Sequence, residues 1–123
     1  MIRISYIGKK ENVSIGLTPS KSISNRLLII SALAENKIQI EGLSGSEDTL
    51  RLKNCLLQSD KPLIDAGEAG TAYRFLTAYL SIQKGERGLI GSGRMNERPI
   101  GPLVDALRKL GAEIDYADKT GFP

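Results

Sequence analysis

Thr18-Pro19-Ser20-Lys21-Ser22-Ile23-Ser24-Asn25-Arg26 decides how the chain is read, because it leads an extended segment into the first turn of an apolar helix. The first backbone N–H groups of a helix lack intrahelical partners and carry partial positive charge. Lys21 and Arg26 add more positive charge at that point, which serves an anion better than it serves capping. With Ser20 as N-cap, Ser22 and Arg26 share one helix face, and Lys21 and Asn25 form a similar pair beside them. A hydroxyl, an ammonium and a guanidinium can then converge on one phosphate or carboxylate. Local spacing alone leaves open the plainer reading of a capped helix with solvated charges.

Two later segments are built the same way. Ala66-Gly67-Glu68-Ala69-Gly70-Thr71-Ala72 sets two glycines just ahead of a third helix running to about residue 83. Alone, it reads either as a tight turn with Thr71 as helix cap or as a loop that lets backbone approach a phosphate. Gly91-Ser92-Gly93-Arg94-Met95-Asn96-Glu97-Arg98-Pro99 is a glycine-rich turn carrying two arginines toward a helix start, with Pro99 suited to the first turn. Three helix entrances thus carry the same kind of group.

Composition bounds the rest. A chain of 123 residues has room for one domain with a real core, and 41% hydrophobic with 25% charged residues is the balance of a globular protein. The net charge of +3 suits anionic partners without singling out nucleic acid. Two Phe, four Tyr and no Trp leave no aromatic platform for stacking bases, so nucleic acid is not an expected partner. A single Cys excludes an intrachain disulfide, and the absence of His removes the usual general base and the commonest metal ligand. No apolar run reaches membrane-spanning length and residues 1–6 lack a signal-peptide layout, so the sequence predicts the cytoplasm and no membrane.

In chain order, Ile2, Ile4 and Tyr6 alternate as a strand, residues 8–12 turn, and Val13, Ile15 and Leu17 alternate as a second strand. The first helix, about 20–34, puts Ile23, Leu27, Ile30, Leu33 and Ala34 at helical spacing, widened by Leu28 and Ile29, and is expected to be buried on most sides. A strand over 38–43 follows, then a helix capped by Ser46 with Leu50, Leu52, Leu56 and Leu57 on its apolar face. Cys55 in that helix reads as a small core residue, with no His to activate it. Strands are predicted at 63–65, 87–91 and 114–116, and a fourth helix over 102–110 with Leu103, Ala106, Leu107 and Leu110 inward and Gly111 at its end. The chain closes on a turn signal, Asp118 to Pro123, which reads as a fragment stopping short of a further element. Asn25-Arg26-Leu27-Leu28-Ile29 and Tyr73-Arg74-Phe75-Leu76-Thr77 open matching rounds of helix, strand and helix, an internal repeat.

Ser20-Lys21-Ser22-x-Ser24-Asn25-Arg26, Gly67-x-Ala69-Gly70-Thr71-Ala72-x-Arg74 and Arg94-Met95-x-Glu97-Arg98-Pro99-Ile100-x-x-Leu103 resemble, in order and spacing, the amino-terminal part of the 5-enolpyruvylshikimate-3-phosphate synthase family. The likeness spans Val13 to Tyr116. It implies an α/β fold of repeated βαβαββ-type units, mixed in strand direction, with helices packed on the sheet. Three such units build each of two domains in the family. Residues 1–12 would be a strand and turn belonging to the other domain, and 13–123 a partial substrate-binding domain. The implied reaction moves the enolpyruvyl group of phosphoenolpyruvate to the 5-hydroxyl of shikimate 3-phosphate and releases phosphate, with no metal and no cofactor. The full enzyme is expected to be a monomer.

Carried over position by position, the resemblance gives Lys21 contact with both substrates and the catalytic role. Ser22 and Arg26 would bind shikimate 3-phosphate, while Gly70, through its backbone, and Arg94 would hold phosphoenolpyruvate. Glu68, Thr71, Arg74 and Arg98 would support these groups from behind. Glu68 stands where the family often has Asn, and Phe75 where Pro is common after Arg74. A carboxylate at Glu68 opposes a phosphate unless it turns toward Arg74 or Arg94, and the family's inhibitor glyphosate shares that pocket. The ligands assigned to proton transfer lie in sequence this chain lacks, so it is expected to fold without turning over. UDP-N-acetylglucosamine enolpyruvyl transferase is the nearest alternative, disfavoured by Ser22 after Lys21 and by the lack of Cys near Arg94. A noncatalytic anion- or RNA-binding module is the other, with Gly67–Gly70 as its GxxG-like loop.

Overall fold

A computed structural model describes residues 1–8, 12–118 and 120–123. Four α-helices, α1 (Lys21–Leu33), α2 (Glu47–Leu57), α3 (Gly70–Leu80) and α4 (Gly101–Lys109), surround a parallel pair of strands, β1 (Leu63–Asp65) and β2 (Gly88–Ile90). A short 3-10 helix, Gly93–Glu97, precedes α4. Leu63 pairs with Gly88, Ile64 with Leu89 and Asp65 with Ile90. The α/β class read from the sequence is what the chain adopts, with a single parallel pair among the described residues.

Local chemistry accounts for most helix limits. Ser20 and Ser46 are the N-caps of α1 and α2, their hydroxyls accepting from Ile23 N and Thr49 N. Glu47 and Asp48 in the first turn of α2 complement its dipole. Gly111, at φ +97, takes the left-handed conformation just past α4. Thr71 is not a cap: α3 starts at Gly70 behind Ala69, with no side-chain cap, and Thr71 lies inside the first turn. That helix also ends at Leu80, earlier than its apolar pattern suggests.

The core lies between α2, β1, α3 and the α4 region. Leu52, Leu76, Met95 and Val104 are fully buried, joined by Cys55, Ile64, Ala66, Ala72, Tyr73 and Ile100. Val104, not the predicted Leu110, is the inward residue of α4, and Leu110 is exposed. Tyr73 donates its hydroxyl to Leu89 O at 2.9 Å and so ties α3 to β2.

α1 departs most from its sequence pattern. Its buried residues are Ser24, Asn25, Leu28 and Ser31, while Ile23, Ile30 and Leu33 are at least half exposed. The polar stripe faces inward because Ser24 Oγ, Asn25 Oδ1 and the Ser31 hydroxyl each find a partner there. Ser24 Oγ accepts from Ser44 N at 2.9 Å, Asn25 Oδ1 accepts from the Thr49 hydroxyl at 2.8 Å, and the Ser31 hydroxyl donates to Ile38 O at 3.1 Å. Only Asn25 Nδ2 is buried without a partner among the described residues. The apolar stripe instead borders a groove against α3, lined by Ile29, Ile30, Leu33, Phe75, Tyr79 and Ile82.

The strands expected at 2–6, 13–17, 38–43 and 114–116 do not form. Alternation of side chains marks a strand only when a neighbour completes its hydrogen-bond ladder, and none of these segments has one among the described residues. Ile2, Ile4, Tyr6, Val13, Ile15 and Leu17 are exposed. In the first round of the internal repeat the strand is therefore missing, whereas α3, β2 and α4 complete the second. Within the predicted turn at 8–12, residues 9–11 lie outside the described residues.

Two measurements test this packing. Asn25→Ala, which leaves the Thr49 hydroxyl with Ser46 as its remaining side-chain partner, is expected to lower unfolding free energy by about 1–3 kcal/mol, and Ile23→Ala by less than about 1 kcal/mol, in urea titrations. Burial pushes the Tyr73 phenol up to about 12. Its unfolded value is about 10, so the neutral phenol favours the fold and its contribution is lost as pH rises from about 10 through about 12. Phenolate absorbance should show one component titrating near 12, coincident with falling stability.

Candidate functional site

The inward polar stripe of α1 fixes where its first turn lies. With Ser24 bonded to Ser44 and Asn25 to Thr49, the starts of α1 and α2 lie side by side, and Lys21 Nζ reaches Asp48 Oδ2 at 3.0 Å. Both side chains remain partly exposed, so the ion pair orients the ammonium more than it stabilises the fold. An ammonium has three protons, and one bond to Asp48 leaves two for a ligand.

Beside this pair is a cavity of about 480 Å³, walled by Glu47, Asp48 and Arg51 of α2, by Gly67, Glu68 and Ala69 ahead of α3, and by Ser92 ahead of the 3-10 helix. The turn that forms its middle wall is tightly held. Gly67 has φ +57, its N–H donates to Asp65 Oδ1 at 2.7 Å, and its carbonyl accepts from Ser92 N at 3.1 Å. The starts of α1, α2, α3 and the 3-10 helix thereby gather at one end of the molecule.

The arginines divide into two groups. Arg26 donates to Ser22 O at 2.9 Å and lies over the Phe75 ring, 5.8 Å from its centroid, while Arg74 donates to Gly70 O at 3.1 Å and to Pro99 O at 2.9 Å. Each bonds the carbonyl four residues back, so the internal repeat is visible in side-chain geometry. The side chains of Arg94 and Arg98 have no hydrogen bond or ion pair among the described residues. Arg98 covers Gly70 so closely that a side chain there would collide with its guanidinium.

Each residue singled out from the sequence can now be located. Lys21 stands at the cavity edge through Asp48, and Gly70, Arg74 and Arg98 form one cluster at the start of α3. Glu68 folds onto Gly93, beside the backbone of Arg94, and makes no ion pair with Arg74 or Arg94. Ser22 and Arg26 lie on the α3 side of α1, and no described contact joins them to Arg94. Asp48 and Arg51 were not anticipated. By sequence, Ser46 is the cap and the leucines the buried face, though Glu47 and Arg51 sit one helical turn apart and mark a charged face at that helix start.

Cys55 is no nucleophile in this arrangement. Its thiol donates to Asp65 O at 3.3 Å, and burial raises its pKa, opposed by Arg51 and reinforced by Asp65. Among the described residues no group of His, Cys, Asp and Glu could hold a metal ion, and no helix is long and apolar enough to cross a membrane.

A family model described as EPSP synthase (3-phosphoshikimate 1-carboxyvinyltransferase) matches residues 6–58 and 56–123. The two matches meet at the end of α2. A 3-phosphoshikimate 1-carboxyvinyltransferase of Bacteroides fragilis strain YCH46 is 48% identical over 110 residues, covering 89% of this chain and 27% of the relative. Proteins of the same name from Bordetella petrii and Bordetella pertussis are 43% and 40% identical, each covering 89% of the chain and 29% and 30% of the relative. The chain spans less than a third of the length of these relatives.

Arg74, tethered to two carbonyls, tests whether this end of the molecule is held by guanidinium bonds. Arg74→Ala is expected to cost about 1–3 kcal/mol in unfolding free energy and to broaden the amide signals of Gly70 and Ile100 in NMR spectra.

Proposed function

The chain belongs to the EPSP synthase family, and on that premise we propose that it is the amino-terminal part of a 3-phosphoshikimate 1-carboxyvinyltransferase acting in aromatic amino acid biosynthesis. Such an enzyme adds the 5-hydroxyl of shikimate 3-phosphate to C2 of phosphoenolpyruvate. The resulting tetrahedral intermediate loses inorganic phosphate to give 5-enolpyruvylshikimate 3-phosphate. Both substrates carry a phosphate and a carboxylate, so the site must offset several negative charges with fixed cations and helix-end dipoles.

The observation that carries this reading is the gathering of four helix starts around one cavity, with Lys21 at its edge. In the proposed site Lys21 keeps its bond to Asp48 and offers its two remaining protons to the substrates. Ser22 and Arg26 hold shikimate 3-phosphate, with Phe75 backing the Arg26 guanidinium. Gly70 N–H and Arg94 hold phosphoenolpyruvate, and Thr71, Arg74 and Arg98 fix the turn around Gly70. Glu68, lying against Gly93, adds a negative charge near Arg94 and tunes how that group meets its ligand.

The groups for proton transfer belong to the part of the enzyme outside these residues, and so does the cover for the apolar groove between α1 and α3. The assembled enzyme is proposed to be cytoplasmic and monomeric, with neither nucleic acid nor membrane as partner. The buried, inert Cys55 and the Cys-free loop around Arg94 speak against the UDP-N-acetylglucosamine enolpyruvyl transferase reading.

Shikimate 3-phosphate titrated into the 123-residue chain should shift amide signals around residues 20–26. Lys21→Ala and Arg26→Ala should each weaken binding at least tenfold, or about 1.5–3 kcal/mol. A phosphate-release assay with both substrates should detect no turnover from the chain alone. Unchanged titrations in both variants, or substantial phosphate release, would refute the assignment.

A further inference from the structure

We propose that Arg51 is an anion-binding residue of this cavity, taking a phosphate or carboxylate oxygen of the substrate from the α2 side. The inference rests on the function proposed above and adds a residue that none of the three sequence motifs contains.

Among the described residues Arg51 is the one basic side chain in the cavity wall, next to the carboxylates of Glu47, Asp48 and Glu68. Lys21 neutralises Asp48 at 3.0 Å, which leaves two acids facing any anion that enters. Phosphorylated acids bind in such surroundings only if a further cation stands on the same wall. Arg51 has the free capacity. Arg26, Arg74, Arg87 and Arg108 all spend side-chain donors on backbone carbonyls, whereas the Arg51 guanidinium has neither a hydrogen bond nor an ion pair among the described residues.

The guanidinium lies against the Gly67 turn. The Nε and Cζ atoms of Arg51 stand 3.4 Å, and Nη2 3.5 Å, from the point where a Cβ on Gly67 would lie. A Cβ at 67 would meet the guanidinium at ordinary van der Waals distance, so the φ of +57 is what calls for glycine here, and the guanidinium lies in contact with that turn. The planar fork sits against the turn that leads into Gly70, with five N–H donors available for a phosphate or carboxylate.

The test follows arginine Nε–H signals of the intact 123-residue chain by NMR during titration with inorganic phosphate and with shikimate 3-phosphate. The Arg51 Nε–H signal should move saturably with both. Arg51→Gln should weaken both ligands at least about fivefold, Arg51→Lys should recover part of the loss, and Arg3→Gln, on the exposed amino-terminal segment, should change nothing. An Arg51 signal that stays still at saturation overturns the inference without recourse to a variant. Full affinity in Arg51→Gln alongside loss in Lys21→Ala overturns it too and leaves the proposed function standing. Absence of any binding by the wild-type chain overturns both.

Discussion

The bond from the Thr49 hydroxyl to the Asn25 carboxamide, wholly out of water, is the constraint from which the rest of the arrangement follows. A buried polar group without a partner costs about 1–3 kcal/mol, so α1 has few ways to lie against α2 that satisfy Ser24, Asn25 and Ser31 together. The chosen register pairs Ser24 with Ser44 and Asn25 with Thr49, and it sets the first turns of both helices level. Lys21 meets Asp48 as a consequence of that register, not as its cause, since a half-exposed ion pair supplies little energy of its own. Packing specificity and site geometry are thus settled by the same few hydroxyls and one amide.

The charges at that end are mixed, and their arrangement matters more than their sum. Arg26 and Arg74 are tied to carbonyls one turn back and serve the helix starts they belong to. Arg51 and Arg98 flank the turn from Gly67 to Gly70 with side-chain donors still free among the described residues. Acids at 47, 48 and 68 keep the region from being simply basic. A site of this kind discriminates by geometry: an anion gains only where it reaches guanidinium and backbone donors while keeping clear of the carboxylates.

The helices were legible in the sequence because their signals are local: Ser20 and Ser46 as caps, glycines at turns and Gly111 as a stop. β1 and β2 were legible because the short apolar runs at 63–65 and 87–91 find each other. Which way α1 faces was not, since hydropathy period ranks Ile23 and Ile30 above Ser24 and Asn25 and contains no information about Ser44 or Thr49 as distant partners. The other expected strands failed for a related reason, a ladder being a property of two segments. At the proposed site, Lys21, Gly70, Arg94, Arg74 and Arg98 stood out through their motifs. Asp48 and Arg51 were hidden in a helix whose first turn already had a sufficient explanation as a capped, dipole-matched start.

The inverted face of α1 has a consequence for how sequence variation in this protein is to be weighed. On this helix Ile23 is a negotiable letter and the serines and asparagine are fixed ones, so a substitution score built on apolarity would rank tolerance backwards. Swapping Ser24 for alanine would pass such a filter as conservative while removing the acceptor that Ser44 relies on. Drift among related chains should accordingly pass through Ile23 and stall on the hydroxylated stripe.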